Sequence, residues 1–373
     1  MSVTNFTNFD IDKILKYVIL KYMTLEITGT GRAVPSRRVT NEDLAEKIDT
    51  SDEWIRSHTG IAVRHIAGSE TAASDLALEA AKKALAMAVS ENVAADVGTD
   101  ADTEAYVNSA LSLDLIIVAT ATPDFIGCPS TACIVQEKLG AKRAAAMDIS
   151  AGCTGFIYGL ESAAGLLSIS SERKRALVIG SEVLSKFTDW NERESCVLFG
   201  DGAGAVILEK TGAPREGPGK RGLLRTILGA DGSGSEFLVF RRGGSRDPFR
   251  AGEIVANPTH VEMNGQAVYN FAVKTITQTI EESLSREGIT ADDVAWFVPH
   301  QANARIIQAA AKRLKIPEEK FFLNIEEYAN TSAASIPIAL DELNRNGKLK
   351  QGDLILTIGF GGGLTYGANL IVW

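Results

Sequence analysis

The sequence predicts an α/β protein built from two related halves, and three observations lead there. Apolar runs rich in β-branched residues alternate with helical stretches. Two long segments repeat the order strand, helix, strand, helix, strand. Residues able to do chemistry fall at matching places in the two. The first segment runs from Asp114–Thr120 through Ala146–Phe156 to Ala176–Gly180, and the second from Asp293–His300 through Phe322–Ser332 to Leu354–Gly359. This pattern predicts mainly parallel sheets and two halves packed about a pseudo-twofold axis, with Cys153 and Asn330 at corresponding strand-to-helix turns. A length of 373 residues suits two domains. The first is set at 23–210 and the second at 222–373, and residues 1–22 form an N-terminal extension.

Taken in order, Thr24–Gly31 reads as the first core strand. Ala72–Val89, Ser130–Leu139, Gly155–Ile169, Val268–Glu287 and Asn303–Leu314 read as helices. The acidic stretch Glu91–Ser112 interrupts a connection that needs only a few residues, so it is expected to be a surface insertion. Thr211–Gly222, rich in Gly, Pro and charge, is the expected joint between the halves. Phe199–Leu208 and Gly359–Gly367 are glycine-rich without matching a phosphate-loop pattern, and both lead into strands.

The composition excludes several classes. Net charge is −9 and the pI is about 5.2, which disfavours nucleic-acid binding. No apolar run reaches the roughly 18 residues that span a bilayer. The N-terminus lacks a basic start and a small-residue cleavage site, so no signal peptide is expected. Four cysteines (Cys128, Cys133, Cys153, Cys196) show no metal-ligand spacing, which reads as reduced thiols in the cytoplasm.

Cys153 follows a strand and opens a helix, between Gly152 and Gly155. Free amides and the dipole at a helix start favour an anion, which predicts a thiolate of lowered pKa. Cys133 and Cys196 instead read as buried apolar thiols. His300 ends an apolar strand, and a polar cluster with Asn303 and Arg305 follows it. It and Asn330, which could otherwise be an N-cap, can each donate a hydrogen bond to a substrate carbonyl oxygen. No acid occupies the third position a Cys-His-acid hydrolase requires. Bare backbone at Gly361–Gly363 predicts that an amide there helps form an oxyanion hole, and Gly362 and Cys153 are the candidate amides.

These motifs resemble the thiolase-like condensing enzymes, and among them the β-ketoacyl-ACP synthase III family, from about Thr24 to Trp373. Thr50-Ser-Asp-Glu-Trp-Ile, Asp148-Ile-Ser-Ala-Gly-Cys-Thr-Gly-Phe, Phe199-Gly-Asp-Gly-Ala-Gly-Ala, His300-Gln-Ala-Asn, Asn330-Thr-Ser-Ala-Ala-Ser-Ile-Pro and Phe360-Gly-Gly-Gly carry the likeness. The resemblance implies a layered αβαβα sandwich. It also implies a decarboxylative Claisen condensation that starts type II fatty acid synthesis: Cys153 takes an acyl group from acyl-CoA, and His300 and Asn330 stabilise the enolate made from malonyl-ACP. It implies a cytoplasmic homodimer with no metal and no bound cofactor. Thr50, Trp54, Arg193, Gly265, Asn303 and Phe360 match CoA contacts, and Arg305, Lys312 and Arg313 match the basic patch that docks ACP. This sequence departs from the family at His58, where Arg is frequent, at Tyr269, where Phe is common, and at Cys128. There many short-chain members carry a Phe that closes the partner's acyl pocket, so Cys128 implies a longer or branched primer. A related condensing enzyme of secondary metabolism with a different acceptor stays open, as does an acyl-carrier-binding scaffold with an inert Cys153.

Overall fold

The computed structural model describes residues 24–89, 108–212, 221–253 and 260–373. The extension 1–22, most of the acidic insertion and the middle of the 211–222 joint lie outside them. Residues 108–111 are helical, with Ser109 and Ala110 buried and Asn108, Leu111 and Ser112 exposed.

The first half contributes β1 (Thr24–Ala33), a short pair β2 (Arg38–Thr40) and β3 (Val63–His65), then β4 (Leu115–Ala119), β5 (Ala145–Ile149), β6 (Arg175–Glu182) and β7 (Gly202–Thr211). The second contributes β8 (Gly222–Ala230), a short pair β9 (Leu238–Phe240) and β10 (Val261–Met263), then β11 (Trp296–Pro299), β12 (Leu354–Gly361) and β13 (Thr365–Val372). One sheet has the order β1-β7-β6-β4-β5, and the other reads β8-β13-β12-β11 in the same sense. Both sheets are mixed, which corrects the expectation of mainly parallel ones. The parallel pairs β4/β5, β4/β6 and β11/β12 are joined through helices, whereas β7 and β13 pair antiparallel on both sides.

The middle strand expected in the second segment, near Phe322, is also corrected. It shrinks to a single bridge between Phe297 and Phe321. The Gln301 side chain takes the place of the missing ladder, donating to the Phe322 carbonyl at 3.1 Å and accepting from the Asn324 amide at 3.1 Å.

Helices Gly155–Ser168 and Ser335–Arg345 lie between the sheets and are buried over most of their length, the first of them apolar on nearly every side. Phe156, Ile157, Leu160, Ile336 and Leu340 are fully buried there, each contributing about 1.5–3 kcal/mol of apolar burial. Helices Ala73–Val89 and Thr131–Leu139 cover the outer face of the first sheet, and Gly265–Glu287 and Ala304–Leu314 that of the second. The result is five layers, αβαβα. Cys196 is buried but Cys133 is exposed, which corrects its expected burial. Helix Thr131–Leu139 packs through Thr131, Ala132, Val135 and Leu139, and Cys133 falls on its other side.

Candidate active site

Each central helix is entered through a tight 3-10 turn, Gly152–Thr154 in one half and Ser332–Ala334 in the other. The turns meet near the pseudo-twofold axis, and each packs on the opposite half's sheet. By position before the helix, Cys153 corresponds to Ala333, so Asn330 stands three residues before the true equivalent. Cys153 and Asn330 thus fall at corresponding turns, as expected, without occupying equivalent positions in them.

Gly361 makes room for the thiol. A Cβ there would lie 2.7 Å from the Cys153 Cβ and 3.0 Å from its sulfur, so no larger residue fits without displacing it. The amides of Gly362 and of Cys153 itself donate to the sulfur. Burial nevertheless pushes the Cys153 thiol up to about 11, opposed by the Ser332 hydroxyl and those two amides and aided by the nearby Glu182 carboxyl. The expected lowered pKa is thereby overturned, because loss of solvent outweighs what the helix start supplies.

His300 is buried at the end of β11, its ring 5.2 Å from that of Phe360. Its Nδ1 lies 2.7 Å from the Ser335 hydroxyl, which also accepts from the Gln301 amide at 3.4 Å. With that hydroxyl donating to Nδ1, the ring proton sits on Nε2. Burial holds the imidazole neutral by lowering its pKa to about 3. Asn330 is arranged the same way: its Oδ1 accepts from the Ser332 amide at 2.9 Å, leaving the Nδ2 protons to donate elsewhere. Ala329 and Ser332 beside it sit at φ 56° and 48°, a backbone held in place by its surroundings.

Cys153, His300 and Asn330 line one cavity of about 680 Å³, together with Trp54, Gly265, Asn303 and Phe360. Arg193 stands over the Trp54 ring at 4.7 Å from its centroid, and His58 stacks on that ring at 4.3 Å. Thr50 is outside the lining, and its buried Oγ1 has no hydrogen-bond partner. Asn303 caps helix Ala304–Leu314 through the Arg305 amide and donates to the His58 carbonyl at 3.0 Å. Arg305, Lys312 and Arg313 are exposed on that helix. A second cavity of about 280 Å³ touches Cys153 and Gly362 and is walled by Leu184, Phe199, Leu238, Phe240 and Val261. Cys128 lies on the exposed segment Phe125–Pro129, outside both linings. Among the described residues no group of three or more His, Cys, Asp or Glu is placed to hold a metal ion, and no helix is long and apolar enough to cross a membrane.

Sequence reading passed over Ser332, Ser335 and Glu182. The serines sit inside the Asn330 motif, and Glu182 is an acid at the end of an apolar strand, a signal that was legible.

The comparisons agree with one another. Residues 147–232 match the family model of 3-oxoacyl-[acyl-carrier-protein] synthase III, and residues 284–373 match that of its C-terminal part. A β-ketoacyl-[acyl-carrier-protein] synthase III of Caldanaerobacter subterraneus is 48% identical over 93% of this chain and 97% of its own. One from Clostridium acetobutylicum is 44% identical over 94% and 99%. The crystal structure of 3-oxoacyl-[acyl-carrier-protein] synthase III from Aquifex aeolicus superposes with a TM-score of 0.79 at 43% identity, covering 94% of this chain and 100% of that one. The chain belongs to the β-ketoacyl-[acyl-carrier-protein] synthase III family.

Proposed function

We propose that this chain condenses an acyl-CoA primer with malonyl-ACP to give 3-oxoacyl-ACP, through a thioester on Cys153. The Cys153 sulfur attacks the acyl carbonyl and CoA leaves as the thiol. Malonyl-ACP then loses CO₂, and the bonding electrons enter an enolate. The Nε2–H of His300 and the Nδ2–H of Asn330 hold its oxygen, the amides of Cys153 and Gly362 hold the acyl-enzyme oxygen, and the carbanion displaces Cys153. The observation that carries this reading is the shared direction of two neutral donors. Ser335 occupies Nδ1 of His300 and Ser332 occupies Oδ1 of Asn330, so only N–H groups remain for the cavity that Cys153 lines.

The pantetheine arm runs past Gly265, Asn303 and Phe360, and the adenine enters between Trp54 and Arg193, with Thr50 as a further nucleotide contact. Replacing Arg193 with alanine is expected to raise KM for acyl-CoA about tenfold and leave kcat near its original value, since the group meets substrate and transition state alike. Steady-state rates over an acyl-CoA titration check this. Arg305, Lys312 and Arg313 offer acidic ACP a basic face beside the cavity mouth, with Arg305 and Lys312 two helical turns apart on one side. Exposed Phe125 and Ile126, with the uncovered edge strand β5, favour a homodimer in which Cys128 reaches the partner's acyl pocket. The halves 23–210 and 222–373 serve as the two domains, and the chain works in the cytoplasm without a cofactor.

The 280 Å³ apolar cavity behind Cys153 exceeds what an acetyl group fills, given about 30 Å³ for one water. A longer or branched primer is therefore expected. Incubation with acetyl-, octanoyl- and lauroyl-CoA and labelled malonyl-ACP, followed by analysis of the products, tests acceptor and primer together. Formation of 3-oxoacyl-ACP with the longer primers favoured is the expected result. Strict preference for acetyl-CoA would refute the primer class, and no 3-oxoacyl-ACP from any primer would refute the condensation.

A further inference from the structure

Glu182 ends β6 with its side chain fully buried, directly behind the nucleophile. Its carboxyl accepts from the hydroxyls of Thr122 at 2.7 Å and Thr120 at 3.3 Å and from the Ala121 amide at 3.1 Å. The Ala333 amide and the Ser332 hydroxyl also favour its charged form. Burial raises this carboxyl to about 7. Ser332 and Cys153 line the same cavity, and the Ser332 hydroxyl eases ionisation of both the thiol and the carboxyl, which sets that one hydroxyl beside acid and sulfur.

The backbone carries a second, independent sign. Ser332 occupies left-handed backbone at φ 48°, where its counterpart in the other half is Gly152 at φ 52°. Glycine adopts that conformation freely and serine does so under strain, a cost met where a side chain is needed. What the strained turn secures here is the position of the hydroxyl.

We propose that Glu182 accepts the Cys153 proton through the Ser332 hydroxyl. The thiol proton passes to the Ser332 oxygen as the serine's own proton passes to the Glu182 carboxylate, leaving a thiolate and a neutral carboxylic acid. The thiolate attacks the acyl-CoA carbonyl and the bond from that carbon to the CoA sulfur breaks. As the CoA sulfur departs, Ser332 donates to it and recovers its proton from Glu182. CoA leaves as the thiol and Glu182 is again a carboxylate. Glu182 acts through Ser332 and is a positioning residue. His300, whose Nδ1 is held by Ser335, stays an N–H donor throughout. The titratable groups around Glu182 are Cys153 across Ser332, His300 beyond the adjoining turn, and Asp201. The last precedes Gly202, the residue paired with Glu182, and is bound by the Ala67 amide and by Ser185.

This inference rests on Cys153 being the acyl carrier, and its test needs no acyl-CoA. Alkylation of Cys153 by iodoacetamide, followed by mass spectrometry across pH, is expected to rise to a plateau above about 7 in the unaltered protein and to rise again as the thiol itself ionises toward about 11. Removing the Glu182 charge by itself eases ionisation of the Cys153 thiol and would speed alkylation. Loss of the relay in Glu182→Gln, which keeps the hydrogen-bonding shape, should instead lower the neutral-pH rate roughly a hundredfold and leave a climb with pH without the neutral plateau. Ser332→Ala should give the same profile, and the double variant should be no slower than either single one. Ser332→Ala leaves the Thr120 and Thr122 bonds to Glu182 in place, so it alone decides if Glu182→Gln does not fold. A neutral plateau retained in the folded variants would overturn the relay. A plateau lost in the variants of a protein that makes no 3-oxoacyl-ACP would sink the condensing reading and leave the relay standing.

Discussion

Replacing Cys153 with alanine will abolish formation of 3-oxoacyl-ACP, with a fall of roughly four orders of magnitude or more. No other described thiol is placed to take its role: Cys128 and Cys133 are on the surface, and Cys196 is absent from the lining of both cavities. Alanine removes only the sulfur from a well-packed turn, so the fold should persist, and a thermal melt checks that. The same variant separates two stages. His300 and Asn330 remain, so malonyl-ACP should still lose CO₂ while no acyl adduct forms. Release of labelled CO₂ and intact-protein mass after exposure to acyl-CoA report the two stages. An acyl adduct on the alanine variant would remove Cys153 from its assigned role.

The second large effect concerns the two neutral donors. His300→Ala and Asn330→Ala are each expected to lower the decarboxylation rate roughly 100- to 1,000-fold, about 3–4 kcal/mol, with acylation of Cys153 much less affected. Together they should cost less than the sum, since both serve one oxygen. The pH dependence has a definite sign. A pKa lowered to about 3 means that His300 is neutral at every pH above that value, so its N–H donor is present unchanged across the neutral range. Decarboxylation by the Cys153→Ala variant should therefore show no inflection near about 6.5, the ordinary histidine value. An inflection there, lost in His300→Ala, would mean that the imidazolium form takes part.

Much of this architecture is local and was therefore legible. The helices begin and end within a few residues of the sequence reading, because apolar spacing, Ser130, Asn264 and Asn303 at the caps, and Gly140 and Gly288 at the ends are local signals. The strand near Phe322 was misread because its apolar run looks like a strand. The Gln301 side chain, twenty-one residues away in sequence from Phe322, supplies what a ladder would have. The exposure of Cys133 and the rise of the Cys153 pKa failed for a related reason: both depend on what other segments cover.

By itself the sequence determined the order of elements, the repeat and the family, and it singled out Cys153, His300 and Asn330, which the structure brings to one cavity. Periodicity, turn chemistry and short motifs are properties of neighbouring residues. Tertiary structure decided the rest. It made both sheets mixed, shortened one strand to a bridge, and set Ala333 rather than Asn330 opposite Cys153. It also brought Glu182 of β6, Ser332 of the other half and Cys153 close enough to influence one another's ionisation. Desolvation and hydrogen bonding between residues more than a hundred positions apart exist only once the layers close, and those terms set the protonation of the groups that react.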